Sequence, residues 1–505
     1  MEIKKGNIKL NQPYHAMAST LVEADVVVDD TCPDVAEILS GDAKIKIIDT
    51  EYRNGKLNVC GVAQFCALYV PDDKCAELKS VSEDIEFSVL MDIKAEECSD
   101  FEILGYAEHI GFTLVNSRKI SAKIMVGIKA SANSEKTYEP VLEITDADAE
   151  CREKKHSIYI PLSHTKTDIQ VSDILTVPEN MPDIAEILRV DAWVVPNNSK
   201  TLSGKEMIHA ELNIDTVYTA ADEKGSVVCV HHAVPFTEIA EAPEADEQSV
   251  VNVAFCVQDI TAASKGDLNG DTKIISLDAM VCCDVKVSKS ISENIVDDCY
   301  FLNCGTELSK QKMKAYEYIT SENTRLTHSE SIELPKNVVV DEVISCYAKL
   351  KSTECIWENG AVKAVGTLVT SIIYRDENSN VRCATGESQV HWEKAMPDKC
   401  EADVQMWIEN SNAIASTDSI KNTVNLGMFV KVLRPRDISI ITDVCEKQDE
   451  NRSKFPSFVV CFASEGDTVW SIAKRYRVKA EKIKSANKLE SEKIESGRRL
   501  LIPKA

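Results

Sequence analysis

Long stretches of the chain alternate between apolar and polar residues. In residues 204–218 the two kinds of side chain fall on opposite faces of an extended segment, which is typical of a half-buried β-strand. The apolar face holds Ile208, Ala210, Leu212, Ile214 and Tyr218, and the polar face holds His209, Glu211, Asn213 and Asp215. The segments 119–130, 273–287 and 419–433 are similar strand candidates. The pattern therefore predicts a mainly β protein.

The β pattern occurs in three copies. The segment PDVAEIL at 33–39 returns as PDIAEIL at 182–188, a displacement of 149 residues, and a displacement of 305 residues leads to a third copy. Self-similarity at a constant spacing indicates repeated units of one fold. The landmarks that stay in register are Gly55, Gly204 and Gly360; Tyr69, Tyr218 and Tyr374; and Phe87, Phe236 and Trp392.

Each copy, about 150 residues long, is predicted to be a sandwich-like β-domain with little helix. After the Pro-Asp turn, residues 36–39 indicate a short helical or turn-like piece, and the glycine of each copy opens a long strand. The third copy differs most, because Val338 stands where Pro33 and Pro182 stand. The predicted domains are 1–150, 151–307 and 308–445, followed by a linker at 446–456 and a small domain at 457–505.

Residues 457–505 have a different pattern, which predicts a strand, two helices and a second strand (βααβ). Asp467 or Thr468 is placed to cap the first helix, whereas Lys479 is a weak cap for the second. The apolar face of the first helix consists of Val469, Ile472, Ala473 and Tyr476, and that of the second of Ala480, Ile483 and Ala486.

Charge separates this last segment from the rest of the chain, whose overall net charge is −25. Residues 459–505 contain 11 Lys and Arg against 6 Asp and Glu, a net of +5, which leaves 46 against 76, a net of −30, for residues 1–458. Such an acidic body would repel nucleic acid and anionic membrane. Because the sequence shows no secretory signal and no spanning segment, we expect a cytoplasmic protein without direct membrane insertion.

The chain contains 18 cysteines. Their spacing includes no Cys-x-x-Cys pair, so it gives no support to a structural zinc site. Cys282 and Cys283 would point to opposite faces of a strand. We interpret most of the cysteines as small buried apolar side chains in a reducing compartment, and oxidative cross-linking in a later assembly stays open.

Residues 267–278 have the polar spacing of a calcium loop. However, the sixth position, where the sharp turn needs Gly, is Thr272, and the repeat alignment predicts a strand where an exiting helix is required. A hairpin turn is therefore the better interpretation. The sequence also has no catalytic motif, so we expect a non-enzyme with no cofactor and no metal. The candidate calcium ligands are Asp267, Asn269, Asp271, Ser276 and Asp278.

The repeated unit, with VPENMPDIAEIL at 177–188 and its glycine-opened strand, resembles the SPOCS domain of clostridial sporulation proteins. Three such domains followed by the basic segment resemble spore-coat morphogenetic proteins. This resemblance implies an assembly scaffold in the mother-cell cytoplasm that joins the coat to the forespore surface. It also implies partners, namely the coat morphogenetic ATPase at that surface and other coat proteins.

The basic segment resembles a LysM domain through GDT at 466–468, Trp470, Asn487, Gly497 and Ile502-Pro503. In LysM domains the ligand groove lies between the first strand-to-helix loop and the loop after the second helix. Trp470 matches a position that is often packed, or that serves as an anchor for a protein partner. The implied binding residues are Gly466, Asp467, Thr468, Val469, Trp470, Ala486, Asn487, Lys488, Leu489 and Ile494.

Three functions follow from these observations. The first is a scaffold whose LysM domain docks on a coat morphogenetic protein. The second is an accessory protein that binds peptidoglycan through its N-acetylglucosamine-containing glycan, and the missing export signal disfavours it. The third is an enzyme with an unrecognised hydrolase site in one repeat, which the missing motifs disfavour only mildly because catalytic triads need not be local in sequence. We prefer the scaffold.

Overall fold

The computed structural model describes residues 1–73, 76–93, 101–266, 270, 272–336, 338–416, 418–447 and 458–503. Within them the chain forms 22 β-strands and two short α-helices. The expectation of a mainly β fold is confirmed. Most of the linker predicted at 446–456 lies outside the described residues.

The strands follow the three copies. Those of the first copy are β1 (Glu2–Lys5), β2 (Ile8–Val27), β3 (Val35–Arg53), β4 (Lys56–Pro71), β5 (Lys79–Asp92), β6 (Phe101–Asn116), β7 (Lys119–Tyr138) and β8 (Val141–Thr145). Those of the second are β9 (Ala149–Thr176), β10 (Ile184–Leu202), β11 (Lys205–Ala220), β12 (Val227–Glu241), β13 (Val250–Lys265) and β14 (Ile274–Phe301). Those of the third are β15 (Gly305–Glu333), β16 (Val340–Glu358), β17 (Ala361–Asp376), β18 (Val381–Ala395), β19 (Glu401–Ala415) and β20 (Ser419–Lys447). The last segment contains β21 (Phe458–Phe462), α1 (Val469–Tyr476), α2 (Ala480–Asn487) and β22 (Arg499–Pro503).

Each copy contributes two three-stranded antiparallel sheets. Their orders are β2-β7-β6 and β3-β4-β5 in the first copy, β9-β14-β13 and β10-β11-β12 in the second, and β15-β20-β19 and β16-β17-β18 in the third. In the first copy, alternate residues of β4 and β7 form one buried apolar cluster between the sheets. This arrangement confirms the sandwich-like architecture. The third copy has the same strand order as the other two despite its divergent sequence.

The helical piece expected at residues 36–39 is wrong, because these residues belong to β3. The pairing of β3 with β4 shifts register between Val35 and Glu37 and again between Ile38 and Ser40. A β-bulge inserts an extra residue and breaks the two-residue period. The broken period is what looked like a helical or turn-like segment.

The glycine that opens the second strand of each copy lies in a hairpin turn. Gly55, Gly204 and Gly360 have φ angles of 79°, 75° and 77°, a left-handed conformation that residues with a Cβ rarely adopt. The preceding Asn54 and Asn359 are also left-handed, as expected for two-residue hairpin turns. The prediction that the glycine opens a strand is confirmed.

The tyrosine that recurs in each copy is hydrogen-bonded to the Pro-Asp turn in the first two copies. The hydroxyl groups of Tyr69 and Tyr218 donate to the carbonyl oxygens of Pro33 and Pro182, at 3.3 and 3.1 Å. Both rings are fully buried, and a buried hydroxyl needs a hydrogen-bond partner. The Pro-Asp turn and the tyrosine therefore form one structural unit, although they lie 36 residues apart.

The three copies share an apolar core. One buried cluster contains Leu68, Val217 and Ile373, which occupy equivalent positions at the displacements of 149 and 305 residues. Leu188, also in this cluster, is equivalent to Leu39 and Ile344, which pack against it. Equivalent side chains from three copies meet at one place only when the copies are arranged around a common axis. The body is therefore pseudo-threefold.

A second cluster repeats this arrangement at the beginning of each copy, with Ile8, Ile158 and Met313 buried together. Polar contacts also link the copies. The ammonium group of Lys79 lies 2.5 Å from the Glu186 carboxylate, and the Arg375 guanidinium lies 2.7 Å from that of Glu77. The copies thus form one packed body.

The βααβ segment 458–503 packs against the second copy. The indole Nε1 of Trp470 donates to Oδ2 of Asp298 at 2.8 Å, and Lys474 forms an ion pair with the same carboxylate. The Tyr300 ring meets the Trp470 ring edge-on, with centroids 5.1 Å apart. The Tyr300 hydroxyl, on a side chain only 2% exposed, donates to the Val478 carbonyl oxygen at 2.8 Å. We call Asp298, Tyr300, Trp470 and Lys474 the anchor.

The shared core predicts cooperative unfolding of the three copies. Shortening Ile373 to Ala removes buried methyl groups at the axis and should cost about 2–5 kcal/mol. Calorimetry of the full chain should then show one transition for all three copies, shifted to lower temperature. A separate early transition of the third copy alone would contradict the shared core.

The anchor predicts that Trp470→Phe loosens the segment 458–503, because the Asp298 carboxylate loses an indole donor, at a cost of about 1.5–3 kcal/mol for a charged acceptor. A specific protease site inserted between Glu450 and Asn451 allows the released segment to be measured by gel filtration after cleavage. Trp357→Phe is the matched control, because that indole donates to the Met396 carbonyl oxygen within the third copy. Equal release from both variants would contradict the anchor.

The anchor should also weaken as the pH falls. Burial alone would raise the pKa of Asp298, but hydrogen bonds from Lys474 and Trp470 outweigh it and lower the pKa. A lowered pKa means that the stabilisation is complete above the ordinary value of about 4 and is lost as the pH falls through the lowered value. In the cleaved protein, release should rise at acidic pH. Asp298→Asn should release more at neutral pH and respond less to acid.

Candidate functional site

The loop between β21 and α1 is the first of the two loops predicted to form the ligand groove. A capping box fixes its end at the start of α1. The Thr468 hydroxyl accepts from the Ser471 backbone N–H at 3.1 Å, and the Ser471 hydroxyl accepts from the Thr468 backbone N–H at 2.9 Å. This reciprocal pair satisfies two amides at the start of α1. Of the two cap residues considered from the sequence, Thr468 is therefore the N-cap.

Asp467 has a structural role in the same loop. Its carboxylate accepts from the Ser464 backbone N–H at 2.9 Å and from the Arg475 guanidinium at 2.8 Å. The Ser464 hydrogen bond, assisted by Arg475, lowers the pKa of Asp467. Gly466 beside it has a φ of 83° and is exposed, with open space where a Cβ would lie. The loop therefore presents Gly466 to solvent and turns the Asp467 side chain inward.

Asn487 connects the end of α2 to β22. Its side-chain amide donates to the carbonyl oxygens of Ile483 and Leu501 at 2.9 and 2.7 Å, and its carbonyl oxygen accepts from the Leu501 backbone N–H at 2.7 Å. The next residue, Lys488, ends the helix in a left-handed conformation with a φ of 52°. Most of the hydrogen-bonding capacity of Asn487 is thus used within the chain.

Two backbone contacts bring the candidate loops together. Thr468 forms an isolated β-bridge with Lys493, and the Val469 backbone N–H donates to the Glu492 carbonyl oxygen at 3.0 Å. Val469 and Ile494 are buried in the core of the domain beneath these contacts. The structure therefore brings the two loop regions side by side, as the groove hypothesis requires.

The accessible part of this region is smaller than the set nominated from the sequence. Gly466, Ala486 and Lys488 are exposed, and Thr468 and Leu489 are half-buried. The sequence placed Ala486 on the apolar face of α2, but its side chain is exposed, because α2 is short and only Ile483 is fully buried. Lys479 caps α2 without a side-chain hydrogen bond, as expected. We call the five accessible residues Gly466, Thr468, Ala486, Lys488 and Leu489 the open groove.

Trp470 lies in the anchor and is not part of the open groove. Its ring contacts Tyr300, and the Arg152 guanidinium lies 5.5 Å from the ring centroid. The protein partner that the sequence suggested for this tryptophan is thus the second copy of the chain's own repeat. Nothing in the local sequence pattern identifies Asp298, Tyr300 or Arg152, because their partners lie more than 170 positions away.

A row of exposed apolar side chains was also missed. Val460, Phe462 and Leu501 lie on the outer face of the β21–β22 ribbon, and all three are exposed. The signal was present in the sequence, because Cys461, Leu500 and Ile502 alternate with them and are buried.

Asp278, one of the candidate calcium ligands, and His231 of β12 both have protein partners. Ser276 and Asp278 lie in β14, where the Asp278 carboxylate accepts from the Ser172 hydroxyl at 2.5 Å; Asp267, Asn269 and Asp271 lie outside the described residues. The strand at this position is confirmed. His231 pairs with Asp215 at 2.8 Å, and this hydrogen bond raises the pKa of His231.

One group of possible metal-binding side chains spans the first two copies, namely Glu102, His164 and Asp284. The Lys286 ammonium lies 2.7 Å from the Glu102 carboxylate, and His164 Nε2 lies 2.8 Å from the Asp284 carboxylate. Lys286 already balances the Glu102 carboxylate and His164 already occupies the Asp284 carboxylate, so the group is an inter-repeat polar network. Neither α1 nor α2, the helices of the described part of the chain, is long and apolar enough to cross a membrane.

Two protein-family models match the chain. The model described as SipL, SPOCS domain, matches residues 34–115 and 183–265, and the LysM domain model matches residues 464–503. The search of curated proteins and the search of solved structures gave no match. Both matched families are binding domains without a catalytic role. The chain is therefore a sporulation-associated protein that carries SPOCS domains in its first two repeats and a LysM domain at 464–503.

Proposed function

We propose that this protein is a non-enzymatic scaffold of spore coat assembly, which tethers the coat to the forespore surface through its LysM domain. The observation that carries the proposal is the anchor. Trp470 and Lys474 hold the LysM domain on the SPOCS body through Asp298 and Tyr300. Because the anchor fixes the LysM domain on the body, a partner that binds the LysM domain also holds the body in place, as a tether requires.

The proposed partner of the LysM domain is the coat morphogenetic ATPase at the forespore surface, and the body contacts other coat proteins. The open groove supports a binding role, because the anchor uses other residues of the domain. The basic charge of the LysM segment against an acidic body favours an acidic partner surface. The setting that we propose is the mother-cell cytoplasm.

We also propose that the third repeat is a divergent SPOCS domain with boundaries near 308 and 445. Its strand order is the same as that of the first two repeats, and its equivalent residues complete the shared core. Linked binding faces on one body raise avidity when a partner is itself polymeric. The three repeats would supply such faces.

The alternative function is binding of peptidoglycan glycan, since the open groove lies where LysM domains hold N-acetylglucosamine units. The exposed backbone at Gly466 allows a close approach of a sugar ring as well as of a peptide. The two functions share residues and differ in the ligand, so one set of variants tests both.

Lys488→Glu in the full chain should reduce recovery of the ATPase from sporulating cells about tenfold, equivalent to about 1.4 kcal/mol, because it reverses an exposed charge in the open groove. Recovery is measured by pull-down with and without peptidoglycan fragments as competitor. A fluorescent fusion of the same variant should lose its position at the forespore surface.

Lys482→Glu is the matched control, since Lys482 is an exposed lysine of α2, the helix that Lys488 ends, and is not one of the predicted binding residues. It should leave recovery unchanged, and circular dichroism should show both variants folded. Equal recovery of the ATPase by the two variants would contradict a docking role for the open groove. Competition by glycan fragments would instead support the alternative.

A further inference from the structure

Two thiols face each other on β9 and β14, beside the anchor residues Asp298 and Tyr300 of β14. Cys151 of β9 and Cys299 of β14 are direct partners in the antiparallel register, and their sulfur atoms are 3.5 Å apart. Opposite residues of antiparallel strands have Cα atoms about 4.5–5.5 Å apart, within the range of about 4.4–6.8 Å that disulfides span. A bond between these sulfurs therefore requires rotation of side chains and no movement of the strands.

The two thiols differ in a way that suits stepwise oxidation. Cys299 is fully buried, whereas Cys151 is half-buried and open to a small oxidant. Their mutual contact lowers the pKa of Cys151 and raises the pKa of Cys299. Cys151 is thus the sulfur that ionises first, and the thiolate is the nucleophilic form.

We propose that Cys151 and Cys299 form a site of reversible oxidation, at which a peroxide-class oxidant converts the two thiols into a disulfide. The Cys151 thiolate attacks one oxygen of hydrogen peroxide, the O–O bond breaks, and the leaving hydroxide takes a proton to form water. The Cys299 sulfur then attacks the Cys151 sulfenic acid, and the S–O bond breaks. The sulfenic hydroxyl leaves with the Cys299 proton as a second water, so that two thiols and one peroxide give one disulfide and two waters.

The site lies within the anchor region. Asp298 and Tyr300 flank Cys299 on the chain, and Arg152, which contacts the Trp470 ring, follows Cys151. The disulfide closes a loop of roughly 150 residues, and a cross-link over such a loop strongly restricts the unfolded chain. Oxidation would therefore lock the strand ends that hold the LysM domain.

A second cysteine pair in the same sheet supplies a matched control. Cys256 of β13 and Cys282 of β14 are also direct register partners, but the Cys256 sulfur contacts the Val257 carbonyl oxygen at 3.9 Å. This pair closes a much shorter loop, and Cys282 lies 16 residues before Asp298 on β14, about 50 Å along the strand. Its removal should leave oxidation at Cys151 and Cys299 intact.

The test treats the reduced full-length protein with equimolar hydrogen peroxide, followed by alkylation of the remaining thiols. Digestion with trypsin, which cuts after Lys289, and with chymotrypsin, which cuts after Phe301, separates Cys299 from Cys282, Cys283 and Cys304. Mass spectrometry should then find a Cys151–Cys299 cross-linked peptide that a reductant removes. The melting temperature should rise by several degrees on oxidation and return on reduction.

Cys151→Ser should abolish both the cross-link and the rise in melting temperature, and this half-buried change keeps the buried Cys299 in place. Cys299→Ser should do the same, and the double variant Cys256→Ser/Cys282→Ser should behave as the unmodified protein. The proposal is overturned if peroxide leaves Cys151 as sulfinic acid without a cross-link, if Cys151 pairs with Cys304, or if Cys151→Ser retains the stabilisation.

Discussion

The fold depends on the shared core at the pseudo-threefold axis. Leu68, Val217 and Ile373 each lie outside the sandwich core of their own repeat and are buried by the other two. If the repeats separated, each would expose an apolar face, and exposed apolar patches of that kind cost free energy in water. The three SPOCS-like units are therefore parts of one packed body. The LysM domain is positioned by this body, which differs from a row of independent domains joined by flexible linkers.

The same axis accounts for one difference between the third repeat and the other two. The equivalent positions Asp42, Asp191 and Tyr347 come together beside the shared core, and a strict repeat would place three carboxylates there. Like charges at short range in a buried site are strongly unfavourable. The chain avoids this with Tyr347 in the third copy, with Arg189 paired to Asp191 at 2.7 Å, and with the ion pair of Lys349 and Asp42. At this position Tyr347 of the third copy thus removes a charge conflict that strict repetition would create.

Much of this architecture could be predicted from local patterns. The displacement of 149 residues, the hairpin glycines and the capped helix of the LysM segment all depend on residues close in sequence, where propensity and period carry the signal. The bulges in β3 could not be predicted, because an extra residue disturbs the period that identifies a strand. The accessible part of the groove was also overestimated. The sequence does not show that the side chains of Asp467 and Asn487 accept hydrogen bonds from Arg475 and Leu501 within the domain.

Contacts between distant segments explain the position of the LysM domain. The strands β7, β14 and β20 begin at Lys119, Ile274 and Ser419, so the last part of each repeat is related by displacements of 155 and 300 residues. Val141, Val296 and Ile441 have these displacements and share one cluster. Thr145 and Cys445 are therefore the equivalents of Tyr300 in the first and third repeats. Neither residue has an aromatic ring, so among the described residues at this position only Tyr300 of the second repeat offers a ring to Trp470. The single LysM domain, bound at one repeat, therefore breaks the approximate threefold symmetry of the body. One LysM domain on such a body can face one surface while the remaining repeat faces point elsewhere, which is the arrangement that the proposed tether requires.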